Sequence, residues 1–136
     1  MMLVVKLKER LKHMGYCIEM INSNFVIKKE NFDTALQALK AVFVPENMTC
    51  CDYINSVERP HFSWVNTNIV LKSNTLQETL KEIRYIPIYN IDGDIVDVEF
   101  TGEKYGDEEI FFKALAPYVE NGSFLDFEGE DEVTWS

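Results

Sequence analysis

The sequence contains few of the residues that build disulfide, metal and phosphate-binding sites. Its three cysteines are odd in number, and Cys50 and Cys51 are adjacent, which would strain a bridge between them. The two histidines and the absence of a CxxC pair leave no spacing that suits a tetrahedral zinc site. The six glycines form no phosphate-binding loop. We therefore expect reduced thiols, no cofactor and no metal site.

Long apolar runs are also absent. No run approaches the roughly 18 to 20 residues that a helix needs to cross a bilayer. The first residues alternate Lys with Leu and do not form the continuous apolar segment of a signal peptide. These two features predict a cytoplasmic protein that does not associate with membranes.

Basic residues are scarce in the last third of the chain, and this asymmetry produces the net charge of −10. Residues 1–91 carry 11 basic and 9 acidic side chains, whereas residues 92–136 carry 2 basic and 14 acidic ones. A negative field repels nucleic-acid phosphates and attracts basic protein surfaces. The charge therefore predicts a basic protein partner and no direct binding of nucleic acid. The alternative is that the acidity only keeps a small protein soluble.

The apolar content is high enough for a packed core. Apolar residues make up 46% of the 136 residues and aromatic residues 12%, which is far from the composition of disordered chains. The length suits one domain, which we place over residues 1–136. The order of helical and strand patterns predicts an α+β fold, in which an antiparallel sheet built from hairpins carries three to four helices mainly on one face.

The first elements are predicted from periodicity and turn residues. Apolar residues at helical spacing predict a helical extension over residues 1–14, although Met14 could also be an authentic start. Two β-rich stretches, residues 16–21 and 25–28, are joined by turn-favouring polar residues and predict a hairpin.

Helical signals follow on both sides of a less periodic segment. Asn31 is a potential cap for a helix that Pro45 stops. Residues 44–74 are predicted to form a long irregular segment, a length that often marks function, unless a helix within it is missed. Thr75 and Glu78 form a capping box that predicts the start of the next helix.

The last third predicts strands around a third helix. Asp92 and Gly93 mark a hairpin turn between two strands. Acidic residues from Asp107 onward suit the N-terminus of a helix, and a second acidic hairpin is predicted over residues 123–135.

Two kinds of residue are candidates for contact with a partner. Acidic side chains downstream of Asn90 would form a charged patch if they share a face. Phe62 and Trp64 would point to one side of an extended segment, either as exposed anchors for a partner or as residues that fix this segment to the core. The predicted partner-binding residues are Asp92, Asp94, Asp97, Glu99, Glu128, Glu130, Asp131, Glu132, Phe62 and Trp64.

Three pieces of the second half carry a resemblance to other proteins. They are Phe62, Trp64, Val65 and Thr67; the run from Gly102-Glu103-Lys104 through Gly106-Asp107-Glu108 to Ala116-Pro117-Tyr118-Val119 and Gly122-Ser123; and Gly129-Glu130-Asp131 with Trp135. This part of the chain resembles a group of small uncharacterised proteins from phages, plasmids and conjugative elements of Gram-positive bacteria. The group has no established activity or catalytic residues from which an expectation for this chain would follow. Small acidic proteins on such elements look like antagonists of host defence, including inhibitors of CRISPR effectors.

The leading hypothesis is a non-enzymatic acidic module that binds and inhibits a basic, nucleic-acid-handling host protein. An alternative is an enzyme of unrecognised type, with a cleft beside the central segment, residues 44–74, and a titratable residue of perturbed pKa in it. A third option is binding of a divalent cation at the acidic turns, although Ile88 occupies the position of the first ligand in the one stretch that resembles a calcium loop.

Overall fold

The computed structural model describes residues 4–6, 18–48, 50–54, 57–102 and 106–129. They form an α+β fold, as predicted. The helices are α1 (Phe32–Ala41), α2 (Thr67–Lys72), α3 (Leu76–Glu82) and α4 (Glu108–Leu115). The strands are β1 (Val4–Lys6), β2 (Ile18–Asn24), β3 (Cys50–Ile54), β4 (Val57–His61), β5 (Tyr85–Tyr89), β6 (Ile95–Phe100) and β7 (Phe124–Gly129). Within these residues no helix is long and apolar enough to cross a membrane.

The strands form one three-stranded sheet and two hairpins. In the sheet, β7 lies between β1, which runs parallel to it, and β2, which runs antiparallel. The hairpins are β3 with β4 and β5 with β6. Ile27, just after β2, exchanges two backbone hydrogen bonds with Ile95 of β6, at 2.9 and 3.0 Å. This bridge brings the β5–β6 hairpin beside the three-stranded sheet.

Aromatic side chains fill much of the core between the sheet and the helices. Phe62 and Phe111 contact each other edge to face at 4.9 Å between ring centroids, and Phe43 packs against both. Tyr85 contacts Phe112 at 4.9 Å. Such pairs contribute about 0.5–1.5 kcal/mol each beyond the burial of their surface. These contacts hold Phe43, Phe62, α4 and β5 in one core.

Local signals explain the positions of several elements. The Thr75 side chain accepts from the backbone N–H of Glu78 at 3.2 Å, so the predicted cap of α3 is confirmed. Glu78 itself accepts from the N–H of Asn74, one residue earlier than in a standard capping box. Helix α1 begins after Asn31, whose side chain makes no capping bond, and ends before Pro45. Gly93 occupies the predicted hairpin turn with a φ of 87°.

The structure differs from the sequence prediction in three segments. The polar residues 22–24 do not form a turn, because β2 continues through them and pairs with β7. Residues 44–74 are not irregular: they contain β3, β4 and α2. Val4–Lys6 is a strand where a helix was predicted, because it pairs with β7. The predicted strand over residues 133–135 lies outside the described residues.

Candidate functional site

Acidic side chains lie on the outward side of β6 and β7. Phe100 of β6 and Phe127 of β7 turn inward, and their rings contact each other at 5.7 Å between centroids. Because side chains alternate along a strand, Glu99 and Glu128, one position away from these rings, point to the opposite, outer side. Both are exposed. Each of the two carboxylates therefore lies on the outer side of its own strand.

Strand β2 lies beside β6. The Ser23 hydroxyl donates to the Asp97 carboxylate at 2.7 Å, which brings the two strands together. Glu19 of β2 is exposed and is the direct register partner of Glu128. We define the acidic face as Glu19, Asp97, Glu99 and Glu128. Three of these four residues were predicted partner-binding residues; Glu19 was missed because only the register of β2 reveals its position.

Basic residues are absent from the strands that build this face. No Lys or Arg occurs within β2, β5, β6 or β7. The nearest basic position in the register is Lys6 of β1, which pairs with Asp126 of β7. The acidic face thus has no counter-ion from its own strands.

Exposed apolar side chains border the acidic face. Tyr85 of β5 is fully buried, so the alternating residues Ile86 and Ile88 point outward and are 39% and 44% exposed. Ile86 is the register partner of Glu99, and Ile88 is that of Asp97. The outer side of the β5–β6 hairpin therefore places apolar and acidic side chains next to each other.

Asp94, also a predicted partner-binding residue, is occupied within the fold. Its carboxylate accepts from the backbone N–H of Lys29 at 2.8 Å and lies 3.8 Å from the Lys28 ammonium. The hydrogen bond from Lys29 is the main reason that the pKa of Asp94 is lowered, with a smaller contribution from the charge of Lys28. Asp94 is 8% exposed, so the structure does not present it as the exposed partner-binding residue that the sequence predicted. Asp92, two residues earlier, is exposed at the turn.

Phe62 and Trp64 do not share a side. Phe62 is fully buried in the aromatic core, so its predicted role as an exposed anchor is wrong. Ser63 and Trp64 form a turn, in which the Val65 N–H donates to the Phe62 carbonyl at 3.3 Å. The turn directs Trp64 outward, where it is 48% exposed. The prediction assumed that residues 62–64 are extended, whereas the turn directs the side chains of Phe62 and Trp64 to different sides.

Trp64 packs against a buried ion pair. The Arg84 guanidinium lies between the rings of Trp64 and Phe100, at 4.9 and 5.1 Å from their centroids. It donates to the fully buried carboxylate of Glu108 at 2.9 Å. Glu108 also accepts from the hydroxyl of Tyr85 and from the N–H of Gly106, at 3.2 and 2.6 Å. The sequence prediction placed Glu108 only at a helix N-terminus and missed this role.

Burial perturbs the acidity of two carboxyl groups behind Trp64. Desolvation raises the pKa of Glu108, and the Arg84 charge only partly offsets it. Desolvation also raises the pKa of Asp107, whose carboxylate accepts from the Ser63 N–H at 2.9 Å. Glu108 accepts three hydrogen bonds from neighbours and Asp107 accepts one, so both carboxylates take part in contacts within the fold. Their shifts therefore reflect structural burial in this part of the protein.

An open groove of about 690 Å³ lies beside Trp64. Its lining includes His61, Trp64, Asn68 and Glu82, and contains no Lys or Arg among the described residues. The position next to the central segment agrees with the cleft that an enzyme would need. However, Asp107 and Glu108, which have raised pKa values, do not line it.

The described ranges contain no group of three or more His, Cys, Asp or Glu side chains arranged to hold a metal ion. At the turn between β5 and β6, the side-chain Oδ1 of Asn90 accepts from the backbone N–H groups of Asp92 and Asp94, at 3.0 Å each. The remaining predicted partner-binding residues, Glu130, Asp131 and Glu132, lie outside the described residues.

Comparison with known proteins yields no relative. No family model, no curated protein and no solved structure matches this chain.

Proposed function

We propose that this protein is a non-enzymatic interaction module that binds a basic, nucleic-acid-handling protein through its acidic face. The negative charges would occupy the surface that the partner uses for phosphates, and so inhibit it. The observation that carries the proposal is that Glu19, Asp97, Glu99 and Glu128 lie on three neighbouring strands that contain no basic residue. Complementary charge gives such a complex a fast association rate and its specificity.

The pairing of Glu19 with Glu128 supports a role in binding. Like charges directly opposite each other on neighbouring strands are destabilising, by up to about 1 kcal/mol relative to neutral pairs. Both side chains are exposed, so nothing in the core requires two carboxylates here. A basic partner would relieve their repulsion, and the complex would recover free energy that the isolated protein lacks.

The exposed apolar residues Ile86 and Ile88 support the same surface. Charged contacts alone are screened at physiological salt, where the Debye length is about 8 Å. Apolar side chains that become buried against a partner add affinity that salt does not remove. Their position beside Glu99 and Asp97 suits a partner whose basic surface surrounds an apolar centre.

The resemblance to proteins of phages, plasmids and conjugative elements suggests the biological setting. We extend the proposal to an anti-defence role, with a nuclease or another nucleic-acid-binding effector of the bacterial host as the partner. An anti-CRISPR-like inhibitor is one such case. This step rests on genomic analogy, whereas the acidic face rests on the contacts described above.

Charge reversal at Glu128 separates binding from stability. Glu128→Lys replaces the repulsion with Glu19 by an attraction, so the melting temperature should stay equal or rise by a few degrees. Binding to a basic partner should weaken, since one carboxylate becomes a cation. A variant that merely misfolds would lose both stability and binding, so the opposite directions identify an effect on the interface. Glu46→Lys, an exposed position in a 3₁₀ turn away from these strands, is the control.

The partner itself can be sought by capture from a Gram-positive host lysate at low and at high salt. We expect a basic protein that is retained at low salt, is released at high salt, is displaced by duplex DNA and is not retained by Glu128→Lys. Retention that is independent of salt and unchanged by Glu128→Lys would refute the proposal.

A further inference from the structure

Trp64 and Arg84 both adopt the left-handed backbone conformation, with φ of 59° and 77°. Bulky residues rarely adopt this conformation, which persists only where neighbouring contacts hold it. Here the two residues contact each other, because the Arg84 guanidinium packs against the Trp64 ring. The two strained residues therefore belong to a single arrangement.

Two glycines complete this arrangement. A Cβ atom at Gly106 would lie 3.0 Å from Arg84 Nη2 and 3.2 Å from the Trp64 ring. A Cβ atom at Gly102 would lie 2.7 Å from Arg84 Nη1 and from the Phe100 ring. The absence of side chains at these positions leaves room for the guanidinium and brings the backbone close to it. Trp64 is thus supported from behind while half of it remains exposed to the groove.

We infer that this groove binds an arginine side chain of a partner protein, stacked on Trp64 and paired with the carboxylate of Glu82. The planar guanidinium suits both contacts, since it stacks on aromatic faces and donates to carboxylates. Glu82 lines the groove, and one of its oxygens accepts from the Asn66 N–H at 2.9 Å, which holds the carboxylate close to the Trp64 turn. A carboxylate accepts several hydrogen bonds, so Glu82 retains acceptor capacity for a ligand.

The charges around the groove favour a cation. Arg84 lies behind Trp64, but the buried carboxylate of Glu108 neutralises it at 2.9 Å. Among the described residues, the lining has one carboxylate, one histidine (His61) and no Lys or Arg. The net charge of −10 adds a long-range attraction for positive groups. An anionic ligand would find Arg84 already neutralised, would be repelled by the Glu82 carboxylate, and would be repelled by the net charge of the protein.

This inference builds on the proposed function, because it supplies a specific contact for a basic partner. The groove and the acidic face consist of different residues. A variant of one surface therefore tests it separately from the other.

The direct test is an NMR titration of the full chain that follows the indole N–H signal of Trp64. A Trp135→Phe background leaves Trp64 as the sole tryptophan and makes the assignment unambiguous. The probes are N-acetyl-arginine amide and its neutral counterpart, N-acetyl-citrulline amide, which has almost the same shape. We expect a saturable shift of the indole signal with the arginine compound and none with the citrulline compound. Equal shifts with both, or a shift only with a neutral disaccharide, would overturn the inference.

Two variants complete the test. Trp64→Ala should raise the dissociation constant of the arginine compound, followed by the remaining groove amides, by about 5- to 30-fold. Because this variant removes a supporting contact of Arg84, Glu82→Gln provides a second test that keeps an acceptor for Asn66. It should raise the dissociation constant about 2- to 5-fold, whereas Asp33→Asn, on an exposed helical turn elsewhere, should leave it unchanged.

The failures of the two proposals are distinguishable. If Glu128→Lys abolishes salt-dependent capture but wild-type protein shows no arginine-specific shift at Trp64, the inference is wrong and the proposed function stands. If the arginine-specific shift occurs but capture does not depend on salt or on Glu128, the proposed function is wrong and the groove remains an arginine site.

Discussion

Removal of the buried Glu108 carboxylate tests the part of the structure that supports Trp64. Glu108→Ala deletes the acceptor for Arg84, Tyr85 and Gly106, and leaves the guanidinium without its counter-ion between two aromatic rings. Breaking a buried pair by removal of one partner costs about 3–5 kcal/mol. For a domain of this size, such a loss lowers the melting temperature by about 10 °C or more.

Asp33→Ala is a matched control for this variant. Both residues are acidic and lie in the first turn of a helix, so both substitutions lose the same favourable interaction with the helix dipole, about 0.3–1 kcal/mol. Asp33 is exposed, whereas Glu108 is fully buried. The difference in unfolding free energy, measured by urea denaturation with circular dichroism, isolates the buried contacts. Equal losses for the two variants would refute the reasoning.

The pH dependence of the same site provides an independent measurement. Because burial raises the pKa of Glu108 in the folded protein, the native state binds a proton more readily than the unfolded chain does. The free energy of unfolding should therefore fall as the pH rises from the ordinary pKa of the carboxyl to the raised one. Glu108→Gln, which has no proton to lose, should lack this component. Parallel pH profiles for wild type and Glu108→Gln would contradict the assignment.

Three further predictions concern local features. Gly106→Ala should destabilise the protein and change its tryptophan fluorescence, whereas Gly122→Ala, which meets no atom within 4 Å but has a φ of 87°, should cost about 1 kcal/mol with unchanged fluorescence. Wild type should lose stability as the pH falls through the lowered pKa of Asp94. Asp94→Asn should lack this pH-dependent loss, which an acid titration followed by circular dichroism measures. Thr75→Ala should lower the unfolding free energy by about 0.5–2 kcal/mol, and Thr75→Ser should restore most of it in the same urea assay.

The features that the sequence predicted correctly are those with local causes. The cap at Thr75 and the turn at Gly93 depend on residues only a few positions apart, and both are present. Residues 22–24 show the limit of this reasoning. Their preference for turns is overridden because β2 gains backbone hydrogen bonds from β7, about a hundred positions away.

The candidate site was predictable only in part, for the same reason. The alternation in β6 places Glu99 on the outer side, and the sequence shows this. The sequence does not show that the backbone N–H of Lys29, 65 positions earlier, binds the Asp94 carboxylate. It also does not show the turn after Phe62, which directs the Trp64 side chain outward while Phe62 is buried. Glu108 was placed at a helix start, but its contact with Arg84 depends on tertiary packing.

The central position of β7 has a consequence for biosynthesis. Both strands beside it come from the first part of the chain, so neither β1 nor β2 has its neighbour until Phe124–Gly129 leaves the ribosome. Closure of so large a loop is slow compared with the formation of local helices and hairpins. Glu19 and Glu128 meet only after β7 has been made, so a nascent chain that lacks β7 does not yet display the surface by which we propose the protein recognises its partner.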